Sequence, residues 1–306
     1  MKILTIIAAH TNSEIKKLCL KYSLVKYSAV SSRIIITNSL DHHDHDWEKE
    51  IISSFPSVSF INIPNDFLID SGKWFHILKN TDYSFYDFVI LANDSIIVTR
   101  PLNNFIEFID SKTNQDVEMF GMLDSNQSGY HIQSHFRALR NSAVPKFLAY
   151  IEYYRKQIDI KIPFYWIIQL FEVKITPFFI TKALFSLHED PNFSNGDNLL
   201  FMRELYFEYL NTKQFPLVKI KYLTECDFQY GGNIPPDFSP STYCSIHADL
   251  MHLNNDQAFQ HFIHHGIKEG RMYKLGQNKK LHETLKIYLY ECNLSFLVDQ
   301  VEMPRT

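Results

Sequence analysis

The sequence predicts an α/β domain built on a mixed, mainly parallel sheet flanked by helices, followed by a small C-terminal helical module. Three observations predict it. Apolar runs of strand length at Ile3–Ala9, 33–38 and Val58–Ile63 alternate with helical stretches, the pattern of right-handed crossovers between parallel strands. The stretch 87–102, DFVILANDSIIVTRPL, opens with Phe88-Val89-Ile90-Leu91, an unbroken apolar run that suits a central strand covered on both faces. From Phe238 the character changes to short helices, which divides the chain into a domain over 1–237 and a module over 238–306.

Composition narrows the class. Of 306 residues, 45% are hydrophobic and 21% charged, which places the chain among globular proteins with a sizeable core. Glycine is scarce, at 9, and neither GxGxxG nor GxxxxGK[ST] occurs, so dinucleotide-fingerprint and P-loop readings lose their support. A formal net charge of −4 gives no reason to expect a nucleic acid partner. Cys19, Cys226, Cys244 and Cys292 form no CxxC pair, which suits reduced thiols better than a zinc site. No signal-peptide pattern is present, and no apolar run approaches the roughly 20 residues that span a bilayer. The expectation is a soluble protein of the cytoplasm.

In chain order, Ile3–Ala9 is a buried strand ending at His10-Thr11-Asn12. Ser13 caps a helix from Glu14 to about Tyr27, whose Ile15, Leu18, Cys19 and Tyr22 recur at helical spacing. A second strand ends at Asn38-Ser39, a short helix covers 47–55, and Val58–Ile63 is the third strand. Asp41-His42-His43-Asp44-His45-Asp46 has the composition of a metal site but lies within one loop, and a solvated loop is the better reading. Asp70 or Ser71 is expected to cap a helix through Lys79. Lys73 then lies near a helix start, where a cation opposes the dipole unless it and the helix amides hold an anion. Asn93-Asp94-Ser95 ends the central strand. In open α/β sheets ligands bind beyond the carboxyl ends of strands, so His10, Thr11, Asn12, Asn93, Asp94 and Ser95 are expected to gather at one edge. After Pro101 a helix runs to Ser111, and 119–123 is a further strand ending in Asp124-Ser125.

Two stretches carry a family resemblance. An apolar strand, a short acidic motif, Ile96-Ile97-Val98, then Arg100-Pro101-Leu102 resembles the metal-and-nucleotide segment of GT-A glycosyltransferases. Asn93-Asp94-Ser95, then Gly121-Met122-Leu123-Asp124-Ser125, then His131-Ile132-Gln133-Ser134 with Phe136, in that order over 89–140, resembles the rhamnan synthesis protein F family. The resemblance implies a GT-A-like, Rossmann-related fold. It also implies a glycosyltransferase of the hexosyl- or rhamnosyltransferase class that moves a sugar from a nucleotide-sugar donor to a bacterial surface polysaccharide or lipid-linked glycan. The alternative is a non-catalytic subunit of the same fold that acts as assembly partner or glycan-binding protein. GT-A enzymes usually hold Mg2+ or Mn2+ through Asp-x-Asp. Here Asn93 and Ser95 replace those carboxylates, and Asp94 with an amide and a hydroxyl makes a poor cage for a hard cation.

Transfer with inversion needs a carboxylate base near the acceptor hydroxyl. Asp124 and Asp190 are the candidates, and the sequence does not choose between them. His131 is a second candidate for base or for acceptor positioning. Gln133, Ser134 and Glu189 are expected to contact the acceptor, and Lys73 with the strand-tip residues the donor. The aromatic stretch 162–173, flanked by Lys156, Lys161 and Lys174, suits either a buried segment or peripheral contact with the inner face of the cell membrane, where a lipid-linked acceptor would lie. In the C-terminal module, Gly266 is expected to end a helix, Arg271 to form an ion pair, and 281–298 to form a last amphipathic helix.

Overall fold

The computed structural model describes residues 1–65, 68–126, 129–158, 163–189, 209–210, 215–220, 234, 238–269, 271, 273 and 285–300. Its contacts divide the chain into one unit of 1–198 with 216–218 and a second of 199–215 with 219–306.

The first unit has the expected α/β architecture. Strands β1 (Ile3–Ala9), β2 (Arg33–Ser39), β3 (Val58–Ile63), β4 (Phe88–Asn93), β6 (Met119–Gly121), β9 (Phe136–Arg140) and β10 (Lys182–Leu184) form a seven-stranded sheet in the order β10-β6-β9-β4-β1-β2-β3. β1 pairs in parallel with both β2 and β4, β2 with β3, and β6 with β10; β9 runs antiparallel between β4 and β6. Every residue of β1 and β4 is buried, which explains their unbroken apolar runs: helices cover both faces.

On one face Leu4, Ile6, Val89, Leu91 and Leu139 pack against Trp74, Ile77 and Leu78 of α3 (Ile69–Asn80) and Phe147 and Ile151 of α5 (Val144–Gln157). The Trp74 indole donates to the Ala92 carbonyl at 3.0 Å, which ties α3 to the end of β4. On the other face an aromatic layer forms. Tyr27 of α1 (Glu14–Val30) stacks on Phe136, and Phe105 of α4 (Asn103–Ser111) meets Phe136 and Phe185 edge-on. Strand β5 (Ile96–Val98) lies outside the main sheet. Beyond it the Thr99 backbone and hydroxyl donate to Pro216 O at 2.8 and 3.0 Å.

Several expectations change. The acidic, His-rich stretch is not one loop: Asp44 caps α2 (His45–Ser54) by accepting the Trp47 amide, and His43 reaches Glu48 at 3.0 Å. Neither Asp70 nor Ser71 caps α3. The helix begins at Ile69, whose φ of +50° is strained for a β-branched residue, and Asp70 is used elsewhere. Of 162–173, Leu170, Phe171 and Val173 are buried in a π-helical turn (Gln169–Val173), whereas Trp166 is exposed.

In the second unit, α9 (Pro240–Ser245) and α10 (Asn255–His261) pack through Tyr243, Phe262 and Leu250. Arg271 forms ion pairs with Asp249 and Glu269, both at 2.6 Å. Gly266 ends nothing, since helical turns continue through Glu269. It is needed because a Cβ there would stand 2.5 Å from the Tyr243 hydroxyl. The last predicted helix is broken: residues 285–291 are helical, Asn293 turns with φ +58°, and Ser295–Gln300 is a separate 3-10 segment.

Candidate functional site

The strand order has a physical consequence. Chain progress from β1 goes to β2 and β3 on one side and to β4 on the other, so the connections leaving β1 and β4 diverge. A crevice forms at such a switch point, beyond the carboxyl ends of the two strands. His10 follows β1 there and Asp94 follows β4.

The two tips are joined directly. The Asp94 carboxylate accepts the His10 amide at 2.6 Å, while the Asp94 amide donates back to Ala8 O at 3.0 Å. Asp94 is only 5% exposed. Burial pushes its carboxyl above the usual range, against the pull of the Lys16 ammonium 3.7 Å away and the His10 amide. Lys16, in the first turn of α1, also donates to His10 O at 3.1 Å. Asn93 bridges outward: its amide nitrogen donates to Asp70 at 2.8 Å, and its carbonyl accepts the Ser95 hydroxyl at 2.6 Å. Asp70 in turn lies 3.4 Å from His10 Nε2.

Lys73 sits beneath this layer, 2% exposed. Its ammonium donates to Ala9 O and to Ser39 Oγ (2.7 Å) and lies 3.1 Å from His10 Nε2. Ser39 gives its own hydrogen to Asn65 at 2.7 Å, so the 2.8 Å contact with His10 is a donation from Nδ1–H. The expectation that Lys73 reaches an anion at the helix start is therefore altered: the cation is turned inward, locking β1, β2 and α3 together. Thr11 is likewise internal, bonded to the Asn38 amide at 2.8 Å, whereas Asn12 is exposed.

The second group lies on a two-residue hairpin, β7 (Asp124–Ser125) against β8 (His131–Ile132). Asp124 is paired with Ile132 and Ser125 with His131, so by strand alternation Asp124 and His131 face opposite sides. They do not form a dyad. Instead Tyr130, on the Asp124 side, hydrogen-bonds Asp124. Burial first, and then the Asp124 charge, push the Tyr130 phenol up to about 12. His131 is buried and bonds Gly129 O through Nδ1 at 2.8 Å, which leaves Nε2 as the nitrogen carrying the lone pair. Ile132 fills the space where a Cβ on Gly121 would sit, 2.2 Å away, so Gly121 is what lets the hairpin lie on β6.

Gln133 is buried and its backbone bonds Leu123 O at 3.0 Å. Ser134 donates to Glu172 of the π-helical turn. His135 O accepts the Asn93 amide at 3.2 Å, which links the hairpin segment to the tip of β4. Glu189 ends α8 (Phe185–Glu189), which packs against α4 on the aromatic face, apart from Ser134. Asp190 lies outside the described residues.

One residue without a sequence signal stands out. Arg137 of β9 is opposite Leu91 of β4, two residues short of Asn93. It is 0% exposed, and among the described residues none of its three guanidinium nitrogens has a hydrogen-bond acceptor. Burial lowers its proton affinity to about 10, against the opposing pull of Glu172. Within an apolar strand pattern an arginine reads as an edge or solvent position, so only the three-dimensional arrangement reveals it.

These residues do not make a hard-cation cage. The Asp94 Oδ2 and Asp70 Oδ2 atoms accept from nitrogen, Lys16 adds a competing positive charge, and among the described residues no three His, Cys, Asp or Glu side chains could hold a metal ion. The arrangement suits an anion better, because a cation and the start of a 17-residue helix, α1, meet at the crevice.

No protein-family model and no curated protein sequence matches the chain. Among solved structures it is similar to the galactosyltransferase LgtC in complex with donor and acceptor sugar analogs, at 10% identity over 60% of this chain and 72% of that one, with a TM-score of 0.41. An active-site mutant of LgtC gives 10% identity over 84% and 94%, with a TM-score of 0.43. The glycosyltransferase GlyE of Streptococcus pneumoniae TIGR4 gives 11% over 87% and 64%, with a TM-score of 0.44. Likeness at this level says nothing of the chain's own activity.

Proposed function

We propose that the chain is a GT-A-like glycosyltransferase of the rhamnan synthesis F-like kind, moving a sugar from a nucleotide-sugar donor to a bacterial surface polysaccharide or lipid-linked glycan. The observation that carries this reading is the crevice between the tips of β1 and β4, with buried Asp94 pinning His10 across it. The donor diphosphate would lie over that crevice, its leaving charge met by Lys16 and the amides opening α1. His10, Asp70, Asn93 and Ser95 would set the shape of the donor pocket, with Lys73 and Thr11 holding it from below.

In the chemical step the acceptor hydroxyl oxygen attacks the anomeric carbon, the bond to the diphosphate breaks, and the hydroxyl proton passes to a carboxylate. Asp124 is our base, with Tyr130 orienting it; Asp190 is the rival. His131, Gln133 and Ser134 would position the acceptor. The second reading, a non-catalytic glycan-binding or assembly subunit, draws on the inward engagement of Asp94 and Lys73.

A thermal-shift panel of UDP, GDP and dTDP, with and without manganese, tests the donor site: a bound nucleotide raises the melting temperature by mass action. Loss of that shift in Lys16→Ala, and loss of transfer in Asp124→Asn with the shift kept, is the expected pair. If neither Asp124→Asn nor Asp190→Asn slows transfer, the base assignment is wrong. A nucleotide shift without turnover in the presence of acceptors favours the non-catalytic reading.

A further inference from the structure

The core of the second unit contains a phenol whose hydrogen-bond acceptor is an imidazole. Tyr243 of α9 is 0% exposed, and its hydroxyl lies 3.0 Å from Nδ1 of His261, the last residue of α10. The hydroxyl is boxed in. A Cβ on Gly266 would stand 2.5 Å from it, and the rings of Phe262 and His247 meet the Tyr243 ring edge-on at 5.1 and 5.0 Å. Burial pushes the Tyr243 phenol up to about 12, so the phenol keeps its hydrogen and has to donate it. Among the described residues His261 Nδ1 is the atom that accepts it. His261 therefore presents the Nδ1 lone pair and carries its own hydrogen on Nε2.

A second proton on His261 reverses this contact. The imidazolium carries a hydrogen on Nδ1 and donates to the phenol oxygen, which leaves the buried phenol hydrogen without its acceptor. The charges facing His261 are mixed. Glu269 and Asp249 favour a positive imidazole, but both carboxylates are engaged by Arg271 at 2.6 Å. Arg271 itself opposes a further positive charge, as does His265, whose ring is 5.2 Å away. Burial first, and then Arg271, hold His261 below the ordinary histidine value of 6.5.

We propose that the Tyr243–His261 pair is an acid-sensitive latch, opened when protonation of His261 Nδ1 strands the buried phenol hydrogen and α9 loosens from α10. Tyr243 is placed to transmit this loosening, since its ring also packs on Phe238 at 5.6 Å and on Phe262. A buried donor left unsatisfied is costly, so parting the two helices to admit water becomes the cheaper state. The sign follows from the same geometry. The fold favours neutral His261, so the second unit is most stable above the ordinary histidine range and loses stability as the pH falls through it. The latch does not depend on sugar transfer, because it is read in the second unit without turnover.

The test is amide hydrogen exchange of the whole chain, followed by mass spectrometry at about pH 7.5 and about pH 5.5, on either side of the imidazole range. Protection is expressed relative to the unstructured rate at each pH, with peptides of β1 and β4 as reference. We expect protection over 240–266 to fall about fivefold on acidification, the factor for one stranded buried donor. In His261→Gln the amide oxygen still accepts from the phenol and nothing titrates, so the fall should vanish. In His265→Gln, at an exposed position, it should remain. Unchanged protection in the wild type, an equal fall in His261→Gln, or loss of the fall in His265→Gln overturns the proposal. Nitrogen NMR of the wild-type imidazoles is a check that needs no variant to fold. His261 should carry its hydrogen on Nε2 at neutral pH and titrate below the ordinary histidine value; a hydrogen on Nδ1, or a midpoint at or above that value, overturns the latch.

Discussion

Arg137→Met should make the protein more stable and less active. Inside the fold the Arg137 guanidinium is fully buried, has no hydrogen-bond acceptor among the described residues, and has its proton affinity lowered to about 10 mainly by loss of hydration. At 1.36 kcal/mol per tenfold change in proton affinity, folding disfavours its charged form by about 3 kcal/mol. Methionine keeps much of the length and packing volume without the charge. The attraction of Glu172 is lost, but Glu172 keeps its hydrogen bond from Ser134. Replacing buried charged groups by well-packed apolar side chains ranges from neutral to a gain of about 1–4 kcal/mol. Urea denaturation followed by tryptophan fluorescence is the assay, because Trp47, Trp74 and Trp166 all belong to the first unit. The sign of the pH dependence is also fixed. A cation whose folded proton affinity is depressed carries its full penalty below about pH 10, and the penalty fades as the pH rises above that. The stability gap between variant and wild type should therefore narrow from about pH 10 upward. An unfolding free energy lowered by about 1 kcal/mol or more, of the order lost with a real buried hydrogen bond, refutes the reasoning. Unchanged transfer activity in the stabilised variant removes any functional reason for keeping the charge.

Two further outcomes follow from the same geometry. Asp94→Asn removes a carboxyl whose proton affinity is raised by burial; wild type should lose stability relative to the variant as pH rises above the range of an ordinary aspartate, and the variant should lose nucleotide-induced thermal shift. Gly266→Ala puts a methyl group 2.5 Å from the Tyr243 hydroxyl and 2.8 Å from Phe262, and should cost about 1–3 kcal/mol, visible by calorimetry as a lowered transition of the second unit.

Much of the scaffold was legible in the chain because local pattern and tertiary burial agree there. β1 and Val58–Ile63 have the predicted bounds, and Phe88–Asn93 extends the predicted central strand by its polar tip. The converging tips were legible too, since polar residues at the ends of parallel strands can only collect on one edge. Helix ends were less so. Asp70 and Ser71 have the chemistry of caps, yet Asp70 is drawn to His10 and Asn93 instead, which no local rule anticipates. The direction of Lys73 was hidden for a similar reason: its acceptors are Ala9 and Ser39, from two other strands.

The amino-acid sequence by itself determined the alternation of strand and helix, the buried central strand, and the placing of Asn93, Asp94 and Ser95 at its tip, because periodicity and polarity are properties of neighbours along the chain. Only the tertiary structure decided that Asp94 pins His10, that Asp124 and His131 face apart, and that Arg137 is buried without an acceptor among the described residues. Those outcomes depend on register between strands far apart in sequence and on hydration lost when they pack, neither of which is written in any local stretch.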